Sequence, residues 1–228
     1  HGSSPLYIYK SVGEMFWDSG NTGSAPLNKN VTTYDATIKH SGNYSAKLQS
    51  QYVALFGIGA FAAGNVFVGK FLKIDGTDGI LRFGRPFTSR PSKLVLYYRY
   101  VAGTVDYSTL SELPKNSKDM GSIYIALGDW PHQTFEGETD IPVLVKTKPA
   151  DRQLFDSNSS NVIGYGECIL KESTEGEGLI KLEIPINYRS NRKPTDIILV
   201  GSASRYGDYF TGSTGSTLWL DDLELIYE

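Results

Sequence analysis

The sequence is poor in cysteine and histidine, which narrows the covalent and metal chemistry open to it. Cys168 is the single cysteine among 228 residues, so an intrachain disulfide and a zinc site of several thiolates are both excluded. Its apolar surroundings, VIGYGECIL, are typical of a small buried residue and not of a nucleophile. His40 and His132 lack the spacing of a metal pair and any nucleophile motif such as G-x-S-x-G. The sequence therefore predicts no catalytic residues.

Basic clusters and long apolar runs are also missing. The formal net charge is -3, and the 22 Lys and Arg residues are scattered along the chain. Nucleic-acid binding requires a concentrated basic patch, so we expect no nucleic-acid partner. No window approaches the roughly 20 apolar residues of a transmembrane helix. We therefore expect no membrane-spanning segment in this chain.

Strand-forming residues are what the sequence has in abundance. It contains 15 Tyr and 10 Phe, and Lys93–Val101 (KLVLYYRYV) alternates aromatic and branched side chains as a central strand does. Pro185, in LIKLEIPINY, predicts an edge strand. Runs with helical periodicity are missing, so almost no helix is expected. Because no linker divides the chain, we predict a lead-in segment over residues 1–16 and one all-β domain over residues 17–228.

The last segment, TLWLDDLELIYE, is predicted to be a strand with one anomalous residue. Strict alternation gives it a core-facing row of Trp219, Asp221, Leu223, Leu225 and Tyr227. A carboxylate in such a row must be paired, hydrogen-bonded, metal-bound or neutral. Asp221 is therefore a candidate ligand of a structural cation; the alternative is a carboxylate held by backbone amides or an arginine. Residues 75–79 (DGTDG) lack the downstream spacing of a calcium loop, and we interpret them as a hairpin turn.

Ligand-capable side chains are densest in the turn SRYGDYFTG, which precedes that strand. A sugar site needs flat aromatic faces and a few convergent polar groups. This turn offers both within a few residues, and Trp130 with Asp129 offers a second aromatic face. The predicted ligand-binding residues are Trp130, Arg205, Tyr206, Asp208 and Tyr209. The alternative for each aromatic ring is that it fills the open end of the sandwich core.

A series of segments carries a family resemblance: WDSGN, HSGNYSAKLQS, AAGNVFVGKF, GRPFTSRP, IYIALGDW, VIGYGE, IPINYRS and SASRYGDYFTGSTGSTLWLDDLELIYE. From about Trp17 onward the chain resembles the putative carbohydrate metabolism domain (PCMD) family, found in surface and secreted proteins of gut anaerobic bacteria. The resemblance implies a two-sheet jelly-roll β-sandwich similar to carbohydrate-binding modules, on an exported cell-surface protein that is commonly lipid-anchored. No catalytic residues are assigned to that family. In similar jelly rolls an Asp of the last strand binds a structural calcium ion, and Asp221 occupies the matching place.

We therefore expect a non-catalytic carbohydrate-binding-like module with a glycan partner, either monomeric or tethered to other domains. One alternative is a structural or adhesive surface module without sugar binding. The other is a glycoside-processing enzyme, which needs two carboxyl groups about 5 to 9.5 Å apart. With 25 acidic residues in the chain, some pair at that distance is expected by chance, so acidic residues alone do not favour this alternative.

Overall fold

The structure is a computed structural model that describes residues 4–8, 15–55 and 58–227. Within these ranges the regular structure is almost entirely β. One helix of four residues, α1 (Asn21–Ser24), is followed by a turn of 3-10 helix at Ala25–Leu27, and two more such turns lie at Pro149–Asp151 and Gly207–Tyr209. No helix of the described ranges is long and apolar enough to span a bilayer. The predicted all-β class is confirmed.

Nine of the described strands form the larger, antiparallel sheet. Its main path is β13 (Val143–Lys146), β7 (Asp78–Phe83), β6 (Asn65–Asp75), β17 (Asp196–Ser202), β10 (Gly121–Gly128), β14 (Val162–Leu170) and β16 (Asn187–Tyr188). Two short strands join it at the side: β1 (Trp17–Asp18) pairs with β6, and β8 (Arg85–Pro86) pairs with β17.

The smaller sheet has five strands in the described part of the chain. Their order is β15 (Ile180–Pro185), β9 (Lys93–Val101), β18 (Thr217–Ile226), β3 (Ser45–Gln49) and β2 (Thr32–Asp35). The predicted strand at Lys93–Val101 coincides with β9 and lies inside the sheet, and the strand with Pro185 lies at its edge, so both predictions are confirmed. Two hairpins complete the fold: β4 (Gln51–Leu55) with β5 (Ile58–Ala62), and β11 (Gln133–Phe135) with β12 (Glu138–Ile141).

The main hydrophobic core lies between the two sheets, as the predicted sandwich requires. Leu94, Leu96 and Leu218 of the smaller sheet face Val68 and Ile125 of the larger one, and all five are almost completely buried. The larger sheet is covered on its other face too, because β10 and β17 are apolar at nearly every position. This second cluster, built on Phe67, Ala126, Ile198 and their neighbours, supports the loops that form the candidate site.

The prediction that Asp221 faces the core is wrong because β18 contains a β-bulge. Its pairing with β9 shifts between Asp221 and Glu224, and Asp222 has a left-handed backbone with φ of 47°. One extra residue in a strand moves the following side chains to the opposite face. Leu218 and Leu220 before the bulge, and Leu223 and Leu225 after it, consequently share the core side. Asp221 points to the other side, where the β2–β3 loop lies.

Candidate functional site

The turn that joins β17 to β18 is held in place at its start. The hydroxyl of Ser204 donates to the buried carboxylate of Asp119, with 2.6 Å between the oxygens. Three residues further on, Gly207 lies so close to Ala63 that a β-carbon at position 207 would overlap the Ala63 side chain. Residues 207–209 then form the 3-10 turn, which ends at Phe210. The turn is therefore packed against the segment between β5 and β6.

Phe210 adopts a backbone conformation that is rare for a large side chain. Its φ is 52°, in the left-handed region. A residue with a β-carbon costs about 1 kcal/mol or more there, and strain of this kind persists where the surrounding structure requires it, often at functional sites. In this protein the strained residue lines a pocket.

The turn closes one side of a pocket of about 450 Å³. The other walls come from α1 and the residues after it, from the β4–β5 hairpin and from the β6–β7 hairpin. Side chains that line it include Leu27, Val53, Phe61, Phe71, Leu81, Asp78, Asp208 and Phe210. Apolar walls with a few polar groups, enclosing about 300 to 1,000 Å³, are usual for small-molecule sites. Of the five predicted ligand-binding residues, the one that lines this pocket is Asp208.

Asp208 has an altered acidity. Desolvation by the surrounding protein raises the pKa of Asp208 to about 6, and the guanidinium of Arg152 opposes that shift. The residue is also exposed to solvent, and hydration favours the charged carboxylate. An ionised Asp208 can accept hydrogen bonds from hydroxyl groups, and a neutral one can donate a proton.

The other predicted residues of the turn contact one another and their neighbours instead of lining the pocket. Arg205 forms an ion pair with Glu167 of β14. The rings of Tyr206 and Tyr209 meet edge to face with 6.4 Å between their centroids. The guanidinium of Arg152 lies 4.6 Å from the centre of the Tyr209 ring. These side chains are half-buried and form an aromatic and ionic wall beside the pocket.

Trp130 lies apart from the turn. Its side chain is only 8% exposed and belongs to the second hydrophobic cluster. The indole contacts the ring of Phe155 edge-on, with centroids 6.2 Å apart. The sequence allowed two interpretations of Trp130, a ligand-binding face or a ring that fills the core. Its placement matches the second.

Comparison with known families identifies the domain. A family model described as "Putative carbohydrate metabolism domain" matches residues 4–226. The chain belongs to this family. The predicted resemblance to the PCMD family is thereby confirmed, and the protein is a carbohydrate-related domain. No curated protein matches the sequence.

Solved structures share the fold of this PCMD domain. One, described as a putative glycoside hydrolase from Bacteroides thetaiotaomicron VPI-5482, is 21% identical with a TM-score of 0.66, and the match covers 100% of this chain and 72% of the other. Another, described as a putative glycoside hydrolase from Bacteroides vulgatus ATCC 8482, is 24% identical with a TM-score of 0.67 and covers 96% of this chain and 89% of the other. TM-scores of this size show a common fold, and at these identities the similarity extends no further than the fold.

Some pocket residues of the PCMD domain were not selected by sequence reasoning. Residues 75–79 do form the predicted hairpin turn, because β6 ends at Asp75 and β7 begins at Asp78. The same turn also brings Asp78 to the pocket wall, where it faces segments far away in sequence. Ser24 reaches the pocket from α1. Neither residue carries a local signal of its role, since both depend on which distant segments meet.

The carboxylate of Asp221, the predicted calcium ligand, accepts hydrogen bonds from backbone amides. The donors are the amides of His40 (2.8 Å), Ser41 (3.3 Å) and Asp222 (2.9 Å). These bonds match the alternative of a carboxylate held by amides. Among the described residues, no group of three or more His, Cys, Asp and Glu side chains is arranged to hold a metal ion. Calcium binding by Asp221 stays a prediction.

Proposed function

We propose that this domain binds carbohydrate, with the sugar in the pocket closed by the turn that carries Asp208. The observation that carries the proposal is the combination of aromatic rings and a carboxylate in one pocket: Phe71 and Phe210 line it together with Asp208. Aromatic faces pack against the C–H surface of a pyranose ring, and a carboxylate accepts hydrogen bonds from its hydroxyl groups.

Arg205, Tyr206 and Tyr209 support this function from the adjacent wall. The Arg205–Glu167 ion pair and the Arg152 contact with Tyr209 fix the wall's shape. A glycan longer than one residue would extend from the pocket across these rings. We also propose, from the family resemblance, that the domain works on an exported, cell-surface bacterial protein; labelling of intact source cells with an antibody against the domain tests that location.

A glycan array followed by calorimetric titration tests the binding function. We expect the wild-type protein to bind a glycan and Asp208→Ala to lose most of that affinity. Asp222→Asn is the matched control, because Asp222 lies on the smaller sheet and Asn tolerates its left-handed backbone. Tyr209→Ala measures the contribution of the adjacent wall. Wild-type protein that binds no glycan at millimolar concentration would instead support a structural or adhesive module.

Glycoside hydrolysis is the second candidate, favoured by the raised pKa of Asp208. A general acid must hold its proton near neutral pH, and desolvation moves Asp208 in that direction. Asp78 supplies another carboxyl group in the same pocket. Incubation with polysaccharides and assay of released reducing ends tests this candidate. Turnover by the wild type that disappears in Asp208→Asn, while binding persists, would establish an enzyme.

A further inference from the structure

Two polar atoms of the pocket have no hydrogen-bond partner among the residues that the structure describes. They are Ser24 Oγ and Asp78 Oδ1, and both are buried. The Ser24 residue is only 2% exposed. A buried oxygen without a partner costs about 1 to 3 kcal/mol, and such atoms are few in native proteins. Both residues line the pocket, so a ligand that displaces the atoms now covering these oxygens could satisfy both.

The segments that carry the two oxygens both approach the ring of Phe71. A β-carbon on Gly23, the neighbour of Ser24, would lie 3.1 Å from the Phe71 ring. A β-carbon on Gly79, the neighbour of Asp78, would lie 3.2 Å from the same ring. Phe71 is therefore a neighbour of both segments that carry the two oxygens. This arrangement suits a ligand with an apolar face and hydroxyl groups on its rim, which describes a pyranose ring.

The charges of the pocket disfavour an anionic ligand. The charged side chains among the described lining residues are those of Asp78 and Asp208, and both are acidic. Desolvation raises the pKa of Asp78, while a hydrogen bond from Thr77 lowers it. A carboxylate or sulfate group on the ligand would add a like charge to this partly desolvated site. Uronic acids and sulfated sugars are therefore poor candidates.

The remaining walls are more apolar than a fully hydroxylated sugar requires. Leu27, Val31, Val53, Ile74 and Leu81 line the pocket together with the aromatic rings. A sugar hydroxyl placed against such a wall loses its water without gaining a partner. A methyl or acetyl group in the same place has no such cost, and its burial is favourable.

From these contacts we infer that the pocket selects a neutral sugar residue carrying a compact apolar substituent, such as the methyl group of a 6-deoxy sugar or an acetyl group. Its hydroxyl groups bond to Asp78 and Ser24, and its C–H face packs on Phe71. The inference rests on the proposed carbohydrate-binding function and specifies the class of sugar for that same pocket.

Calorimetric titration with matched monosaccharides tests the inference. The pairs are the methyl glycosides of L-fucose and L-galactose, of N-acetylglucosamine and glucose, and of glucose and glucuronic acid. The deoxy or acetylated member of its pair should bind about 10-fold tighter or more, the usual effect of one small apolar group in an apolar pocket. Glucuronic acid should bind more weakly than glucose.

The affinities of variants at Ser24 and Asp78 test whether the sugar contacts these two oxygens. Ser24→Ala should weaken binding of the preferred sugar by about 2- to 12-fold, the range for one neutral hydrogen bond, without lowering the melting temperature. Asp78→Asn should weaken it further and reduce the discrimination against glucuronic acid. Asp75→Asn is the control, since Asp75 belongs to the same hairpin but pairs with Lys148 (3.1 Å).

The outcomes separate this inference from the proposed function. Equal affinities within each pair, or preference for the acidic sugar, would overturn the inferred class and leave carbohydrate binding intact. Affinity that is unchanged in Ser24→Ala and Asp78→Asn but lost in Asp208→Ala would also overturn it, because the sugar would then lie outside these oxygens. Absence of binding by any sugar, including longer glycans, would refute the proposed function together with the inference.

Discussion

The carboxylate of Asp119 holds together the loops that support the candidate site, and its removal should destabilise the protein. Oδ2 accepts hydrogen bonds from Ser204 Oγ (2.6 Å), Ser216 Oγ (2.8 Å) and the Ser213 amide (2.8 Å), and Oδ1 accepts one from the Met120 amide (2.8 Å). Asp119 is fully buried. Its variant Asp119→Ala would remove the acceptor that these four donors share.

The size of the loss follows from the donors. Each buried amide left without an acceptor costs about 1 to 3 kcal/mol. The hydroxyl groups lose less, because Ser204 Oγ can still bond to Ser50 Oγ (2.8 Å). Relief of the desolvation that raises the pKa of Asp119 offsets part of the total. We expect a net loss of about 3 kcal/mol, or about 6 to 12 °C in the melting temperature of a domain this size.

Thermal unfolding at pH 7 measures this loss directly. Asp106→Ala is the control, because Asp106 is exposed and accepts a hydrogen bond from the Thr214 amide (2.9 Å) in the same group of loops. The control should lose less than about 1 kcal/mol. A loss in Asp119→Ala no larger than in Asp106→Ala would refute the assignment of Asp119 as the anchor of these loops.

Three further predictions concern the turn and the last strand. The folded-state pKa of Asp208, about 6, exceeds the ordinary 3.8, so wild-type stability relative to Asp208→Asn should be highest near pH 4 and fall as the pH rises to about 6; melting temperatures that run parallel across this range would contradict it. Phe210→Gly should be about 1 kcal/mol more stable than Phe210→Ala, because glycine relieves the left-handed strain, while both bind glycan weakly; urea titration checks the order. The predicted calcium ion requires that EDTA lower the melting temperature of the wild type but not of Asp221→Asn, and an unchanged wild type would leave Asp221 with its backbone amides alone.

Local patterns were enough to predict the inner strand β9 and the edge strand β15. Alternation and β propensity located Lys93–Val101 to the residue, because a strand between two neighbours must cover both faces. Pro185 indicated the sheet edge, since proline cannot donate to a further strand. Both signals depend only on residues close in sequence, and the fold did not override them.

The bulge in β18 is a case where local reasoning failed. Alternation assumes an unbroken register, and one extra residue reverses it. Asp222 tolerates the left-handed conformation that the bulge needs. An aspartate within a strand does not, however, by itself indicate a bulge. The prediction that Asp221 faces the core is wrong for this reason.

The candidate site was predictable only in part. Asp208, which lines the pocket, was predicted as a ligand-binding residue because the turn concentrates polar and aromatic residues within a short segment. Ser24, Phe71 and Asp78 reach the same pocket from other segments. Their roles arise from tertiary contacts, which a single sequence does not specify.

The most direct test of carbohydrate binding in this pocket is a crystal structure with the best-bound glycan. We predict one sugar residue in the pocket, its ring on Phe71 and a hydroxyl group within about 3 Å of the Asp208 carboxylate. A glycan found instead on the outer face of the smaller sheet, for example beside Trp219 and Arg99, with none in the pocket, would contradict the proposed site.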